Sequence, residues 1–216
     1  MPRIVRIPVN VFAIVNPFSG AGMDPAVSER RVELLRAELK RRSIEGAVQL
    51  TRHPGHAREL AASAASARVP LVIVWGGDGT VNEAGSALVG TRSALALIPA
   101  GSGNGLAAAL AVPRDPEAAI ATAIDAEPRP IDVGFVNDRA FFNVAGIGFD
   151  AHIARLFNLR SRGARGRWPY ISIGVREGCR YRGLDYDLDL EGEHFHLQAL
   201  LIAFANGPEY GMGARI

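Results

Sequence analysis

The string Trp75-Gly-Gly-Asp-Gly-Thr80-Val-Asn-Glu83 sets three glycines around one carboxylate, directly after the apolar run Leu71 to Val74. Glycines leave backbone amides unobstructed, so an anionic ligand can approach them closely. Asp78 adds a negative charge that phosphate alone would repel, which points to a metal ion or a proton-accepting role. From Thr80 to Leu88 the chain can continue as a helix whose first turn directs unpaired N–H groups at the same place. Alone, Gly-Asp-Gly is also a common tight turn. Two further junctions shift the balance. Leu95-Ala-Leu-Ile98 runs into Pro99-Ala-Gly-Ser-Gly-Asn-Gly105 and the helix-forming stretch Leu106 to Leu110, and Val11 to Val15 runs into Asn16-Pro-Phe-Ser-Gly-Ala-Gly22. In an open parallel sheet such loops gather at the carboxyl ends of the strands, where ligands bind. Phosphate handling is the expected chemistry.

The elements that must position these loops alternate. Val9 to Val15 reads as a strand, and Pro25 to Arg42 as a helix with Val27, Val32, Leu35 and Leu39 near helical spacing. Ala47 to Thr51 is a second strand, and Ala57 to Ala67 a second helix closing before Pro70. The strand at Leu71 and the helix Glu117 to Ala126 continue the alternation, which places this half in the α/β class. From Ile131 the pattern changes to β segments at Ile131 to Val136, Phe141 to Ala145, Leu184 to Leu190 and His196 to Ala205. Asn137-Asp138 and Gly192-Glu193 supply turn signals for a meander. A domain boundary is expected at Pro128 to Pro130, dividing the chain into 1–129 and 130–216. Asp150 to Arg182 reads as helix and loop, broken at Trp168-Pro169.

Composition narrows the function classes. Hydrophobic residues make up 48% and charged residues 21%, and no apolar run reaches the roughly 20 residues that span a bilayer. The amino terminus lacks the apolar core of a secretory signal, so a cytoplasmic location is expected. Cys179 is the single cysteine, which excludes an intrachain disulfide and a cysteine-cluster metal site. The five histidines are scattered in sequence, and no zinc site is expected from them. A net charge of +2 gives no case for nucleic-acid binding. Of 24 basic residues only Lys40 is lysine, and it follows no glycine loop of the G-x-x-x-x-G-K-[ST] kind. P-loop and protein-kinase phosphate grips are therefore excluded. Backbone amides, hydroxyls or arginine must hold any phosphate.

Asn16-Pro17 with Ser19-Gly20, Gly76 to Thr80 with Asn82-Glu83, and Pro99 with the later Gly-Ser-Gly-Asn together resemble the diacylglycerol kinase catalytic family. That family includes bacterial lipid kinases and the sphingosine and ceramide kinases. Ile131-Asp-Val-Gly134, Gly148-Phe-Asp150 and Ala205-Asn-Gly207 extend the likeness over nearly the whole chain. It implies a three-layer α/β nucleotide-binding domain like those of NAD kinase and phosphofructokinase, followed by a β-sandwich domain. It implies ATP with Mg2+ as cofactors and transfer of the γ-phosphate to diacylglycerol or a related lipid alcohol. A sphingoid-base or ceramide kinase and a non-catalytic nucleotide-binding fragment are the alternatives. Asn16, Pro17, Phe18, Ser19, Gly20, Thr51, Gly77, Asp78, Gly79, Thr80, Val81, Asn82, Glu83, Ser102, Gly103 and Asn104 would surround the nucleotide. Asp78 and Asp132 would support the metal, and Asp78 is the catalytic candidate.

There are departures from the family pattern. Ala21-Gly22 stands where several bacterial members carry a lysine, and Gly105 where they carry an aspartate; Ser102 replaces a more common threonine. Family members continue through a segment that returns to the nucleotide domain and carries the general base proposed for bacterial members. The chain to Ile216 is accordingly expected to be a fragment. Arg155 to Arg182 holds eight arginines and one acid, Glu177, among aromatic residues. Such a surface suits peripheral contact with anionic lipid at the inner face of the membrane. The sequence leaves a homodimer open.

Overall fold

The computed structural model describes residues 10–20, 24–149, 151–153, 156, 181–207, 209–211 and 214–215. Within them the expected α/β alternation forms a four-stranded parallel sheet: β1 (Val11–Val15), β2 (Gly46–Leu50), β3 (Leu71–Gly76) and β4 (Ala94–Pro99), in the order β2-β1-β3-β4. β1 and β3 lie in the middle. Their runs are apolar on both faces, and Ala13, Ile14, Val15, Val72, Ile73 and Val74 are fully buried, as parallel strands covered on both sides require. One face packs Ile14, Val72, Val74 and Leu97 against α2 (His56–Ser66), α3 (Asp78–Leu88) and α4 (Gly105–Ala109). The other packs Val11, Val15, Ile73, Trp75 and Ile98 against α1 (Pro25–Arg41) and α5 (Pro116–Asp125). Three layers result.

Both α1 and α5 begin with an Asp-Pro pair. Asp24 accepts from the Ala26 amide and Asp115 from the Ala118 amide, each at 2.9 Å, while proline fills the first helical position where no N–H is needed. At the other end of α1, Glu38 is clasped by Arg41 and Arg42, and Arg42 reaches across to Asp125 on α5. These hydrogen bonds hold the Glu38 carboxyl down at about 2, from an ordinary 4.5. Because the folded-state value is depressed, the clasp contributes fully above about pH 4.5 and is lost as pH falls toward 2. Its exposure keeps the effect small. Arg42→Ala should therefore lower the melting temperature slightly at pH 7 and not at pH 2, which paired thermal melts will check.

The β-rich half departs from a simple meander. The segment read as 141–145 divides into β6 (Arg139–Phe141) and β7 (Val144–Gly148), and that read as 196–205 into β9 (Glu193–Ala199) and β10 (Leu201–Ala205). β5 (Gly134–Val136) pairs with β6, and β8 (Leu184–Leu190) with β9, whereas β10 pairs antiparallel with the distant β7. Phe142 causes the first break. It turns out of the strand into the core of the parallel sheet, where it lies against Gly85 of α3. Ala140 and Phe142 complete that core although they follow the boundary expected at 130. Asn137 and Asp138 form the β5–β6 turn, both at positive φ, as a two-residue hairpin requires. The β8–β9 turn is Glu191-Gly192, one residue before the expected Gly192-Glu193, with Leu190 opposite Glu193. Short strands β11 (Glu209–Gly211) and β12 (Ala214–Arg215) pair with each other. No helix among the described residues is long and apolar enough to cross a membrane.

Candidate functional site

The loops after β1, β2, β3 and β4 all leave the same edge of the parallel sheet, because every strand in it points the same way. β1 and β3 are adjacent, with helices on opposite faces after them, which makes this edge the crevice where α/β sheets bind ligands. Helix α3 begins at Asp78, two residues earlier than the expected Thr80. Gly79 is tolerated there because the first turn is held by the Val81 amide donating to the Gly77 carbonyl, 3.0 Å away. Asp78, Gly79 and Thr80 thus supply the amides of the first turn, with the positive end of the helix dipole behind them. Among the described residues no side chain caps that end. It is open to an anion.

Asp78 is the knot of the arrangement. One carboxylate oxygen accepts the Asn104 amide and the other the Gly105 amide, each at 2.7 Å. Asn104 can offer both because it sits at φ 54°, ψ 44°, a left-handed conformation that asparagine tolerates. Its side chain closes the loop on itself, accepting from the Gly101 amide at 2.7 Å and donating to the Gly101 carbonyl at 2.6 Å. The Gly77 and Gly101 backbones touch. A Cβ on Gly101 would lie 2.7 Å from the Gly77 Cα, and one on Gly103 would lie 2.7 Å from Asp78 Oδ2. The glycines therefore permit two loops to interlock.

The first loop joins the same assembly. Asn16 Nδ2 donates to Thr80 Oγ1 at 2.7 Å, while Asn16 Oδ1 accepts from the Phe18 amide in a local turn. Ser19, Thr51 and Thr80 are buried, and the Thr51 amide donates to the Val15 carbonyl. Glu83 accepts from the Gly55 amide at 3.0 Å, tying α3 to the loop after β2. Gly20, at φ 91°, leaves only 3.1 Å between a built Cβ and the Ala100 carbonyl oxygen, so the first and third loops are in contact. Thus Asn16, Ser19, Gly20, Thr51, Gly77, Asp78, Gly79, Thr80, Glu83, Gly103 and Asn104 are brought together. Pro17 is half-buried beside them, and Phe18, Asn82 and Ser102 are exposed at the rim. Val81 instead points into the core. Asp132 is exposed before β5, and its carbonyl accepts from Asn206 Nδ2. The basic stretch from Arg155 lies outside the described residues apart from Leu156, Tyr181 and Arg182, as do Ala21-Gly22, Asp150 and Cys179.

Sequence reasoning missed two groups. Arg31, on α1, donates to the Asn16 carbonyl at 3.2 Å, Ser19 Oγ at 3.0 Å and the Ser19 carbonyl at 3.1 Å, and its guanidinium lies 5.7 Å from the centre of the Trp75 ring. Burial lowers its pKa from the usual arginine value, yet arginine remains charged. One arginine among 23 carries no signal of this role. Asn143 is the second group. A Cβ on Gly105 would lie 2.6 Å from its Nδ2, and its carbonyl accepts from the Asn206 amide at 2.7 Å, so the β-rich half abuts the Asn104 loop. Removing the fork by Arg31→Ala should raise KM for Mg-ATP on the order of tenfold, the equivalent of one or two hydrogen bonds from a charged donor. A purely architectural role would lower the melting temperature and leave KM unchanged; Arg31→Lys, lacking the fork, should rescue only part.

The diacylglycerol kinase catalytic domain model matches residues 10–136, and the YegS C-terminal NAD kinase beta sandwich-like domain model matches residues 143–216. A Mycobacterium tuberculosis protein named "Diacylglycerol kinase" is 34% identical over 95% of this chain and 67% of its own length. A Cronobacter sakazakii protein named "Probable lipid kinase YegS-like" is 36% identical over 85% of this chain and 64% of its own. A crystal structure of a diacylglycerol kinase from Bacillus anthracis superposes with a TM-score of 0.68 at 27% identity, covering 96% of this chain and 67% of that one. The chain thus spans about two thirds of the length of the relatives it matches.

Proposed function

Since the chain belongs to the diacylglycerol kinase catalytic-domain family, we propose that it transfers the γ-phosphate of ATP to the hydroxyl of diacylglycerol or a related lipid alcohol. The observation that carries this reading is the interlock of the Asp78 carboxylate with the Asn104 and Gly105 amides, at the mouth of an uncapped helix. The residues fit a nucleotide and a divalent ion. Nothing lies within 4 Å of a Cβ built on Gly79, so the first turn of α3 is accessible, and its amides offer donors to phosphate oxygens. Each Asp78 oxygen accepts one N–H and retains a further lone pair for a hard cation or its water. Asp78, with Asp132 from the β-rich half, would hold magnesium, which would neutralise charge on the transferring phosphate.

Catalysis then consists of positioning. The Asn16–Thr80 bond and the Arg31 fork fix the first loop, the Asp78–Asn104 pair fixes the third, and the N-terminal amides of α3 stand where negative charge must be stabilised. Half-buried Arg31 substitutes here for the absent loop lysine by shaping the loop, not by reaching a phosphate itself. The β-rich half would present the lipid, with the enzyme peripheral to the inner membrane face. The full gene product should be assayed with radiolabelled ATP and mixed micelles containing diacylglycerol, sphingosine or ceramide, with NAD as a soluble control. Label in phosphatidic acid supports the proposal. Label only in a sphingoid product moves the acceptor, and ATP binding without transfer to any acceptor leaves a non-catalytic nucleotide-binding protein.

A further inference from the structure

The β8–β9 hairpin carries a polar face that the nucleotide site does not use. In its register Asp185 faces Gln198, Asp187 faces His196 and Asp189 faces His194, so these six side chains share one side. We propose that this face binds a divalent transition-metal ion through Nε2 of His194 and His196. His196 Nδ1 lies 2.8 Å from Asp187 Oδ1, and His194 Nδ1 pairs with Asp189 Oδ1. A carboxylate only accepts, so Nδ1 is the protonated nitrogen of each pair, and the Nε2 of a ring in its neutral form offers its lone pair away from that aspartate. Carboxylates that orient imidazoles in this way are the usual outer shell of metal-ligating histidines.

The two rings are successive same-face positions of one strand, with Cα atoms about 6.6 Å apart, a separation that two leaning imidazoles can close onto one ion. Both are open to solvent, His194 at 86% and His196 at 73% side-chain exposure. Three carboxylates add negative potential, and the six-residue face contains no cation. Imidazole nitrogen favours Zn2+, Ni2+ or Cu2+ over Mg2+, and water would complete the coordination. A second cluster, His53, His56 and Glu59, has ligand atoms within 4.8 Å of one another but is less suited. His56 Nδ1 accepts the Arg52 amide, which places the proton of the neutral ring on Nε2, and the two rings are stacked with centroids 4.7 Å apart.

Tag-free protein titrated calorimetrically with ZnCl2 should show saturable binding, and Mg2+ should not compete. The His194→Gln, His196→Gln double variant should lose at least tenfold in affinity, and Asp187→Asn with Asp189→Asn about tenfold through lost orientation. His53→Gln with His56→Gln should bind as the parent does. In nitrogen-detected NMR of the parent, Zn2+ should move the Nε2 resonances of His194 and His196 ahead of those of the other histidines. Absence of heat with Zn2+, or unchanged affinity in the His194/His196 variant, overturns the proposal. Loss of binding in the His53/His56 variant does so too.

Discussion

Replacing Asp78 by asparagine should weaken nucleotide binding and phosphate transfer together, by on the order of a hundredfold or more, while the fold persists. Two charge-assisted hydrogen bonds end on this carboxylate, one per oxygen, and each such bond to a charged group is worth about 1.5–3 kcal/mol. Asparagine keeps one acceptor. Its NH2 would face a backbone N–H, donor against donor, and release one strand of the loop that carries Ser102 to Asn104. The parallel sheet does not depend on this contact, since the buried residues of β1 and β3 form its core. Measuring ATP affinity with Mg2+ and again in EDTA separates two roles. A loop organiser loses affinity in both conditions, whereas a pure metal ligand loses it only with Mg2+. Near-normal turnover in Asp78→Asn would remove Asp78 from the site altogether.

Gly101→Ala, a single added methyl, should be almost as damaging to binding. Its Cβ would sit 2.7 Å from the Gly77 Cα and 2.9 Å from Asn104 Oδ1, and the first of these neighbours is backbone that cannot rotate aside. The two loops must part, at an overpacking cost of about 1–3 kcal/mol, which predicts roughly ten- to hundredfold weaker Mg-ATP binding. Gly79→Ala is the contrasting case. Nothing lies within 4 Å of its built Cβ, and alanine favours the helix, so the melting temperature should hold or rise by a small amount. Equal ATP affinity in Gly101→Ala and the parent protein would show that the loops do not act as one unit.

Much of this site was legible in the residues. Strand, glycine loop and helix recur at Asn16, Gly77 and Gly101, and parallel strands can only deliver such loops to one edge. The amides at the start of α3 were anticipated, although the helix begins at Asp78, two residues before Thr80. The partners of Asp78 were not legible. They lie 26 and 27 residues along the chain, and nothing in an Asp-Gly pair tells whether its carboxylate serves a metal, a proton or another loop. Arg31 looked like any arginine on a charged helix. The β-rich half was recognised as β from its alternation, but not the β7–β10 pairing, since alternation specifies a strand and not its neighbour.

By itself the sequence determined the α/β alternation, the convergence of glycine loops, and a phosphate site without a loop lysine. These follow from short-range physics: side-chain period, the freedom of glycine, and the one direction of parallel strands. Tertiary structure alone decided that Asp78 joins two loops, that Arg31, its guanidinium over Trp75, holds the loop from Asn16 to Ser19, and that two histidines on β9 stand opposite two aspartates on β8. Those contacts depend on strand register and layer packing, which bring together groups whose separation along the chain carries no trace of their meeting.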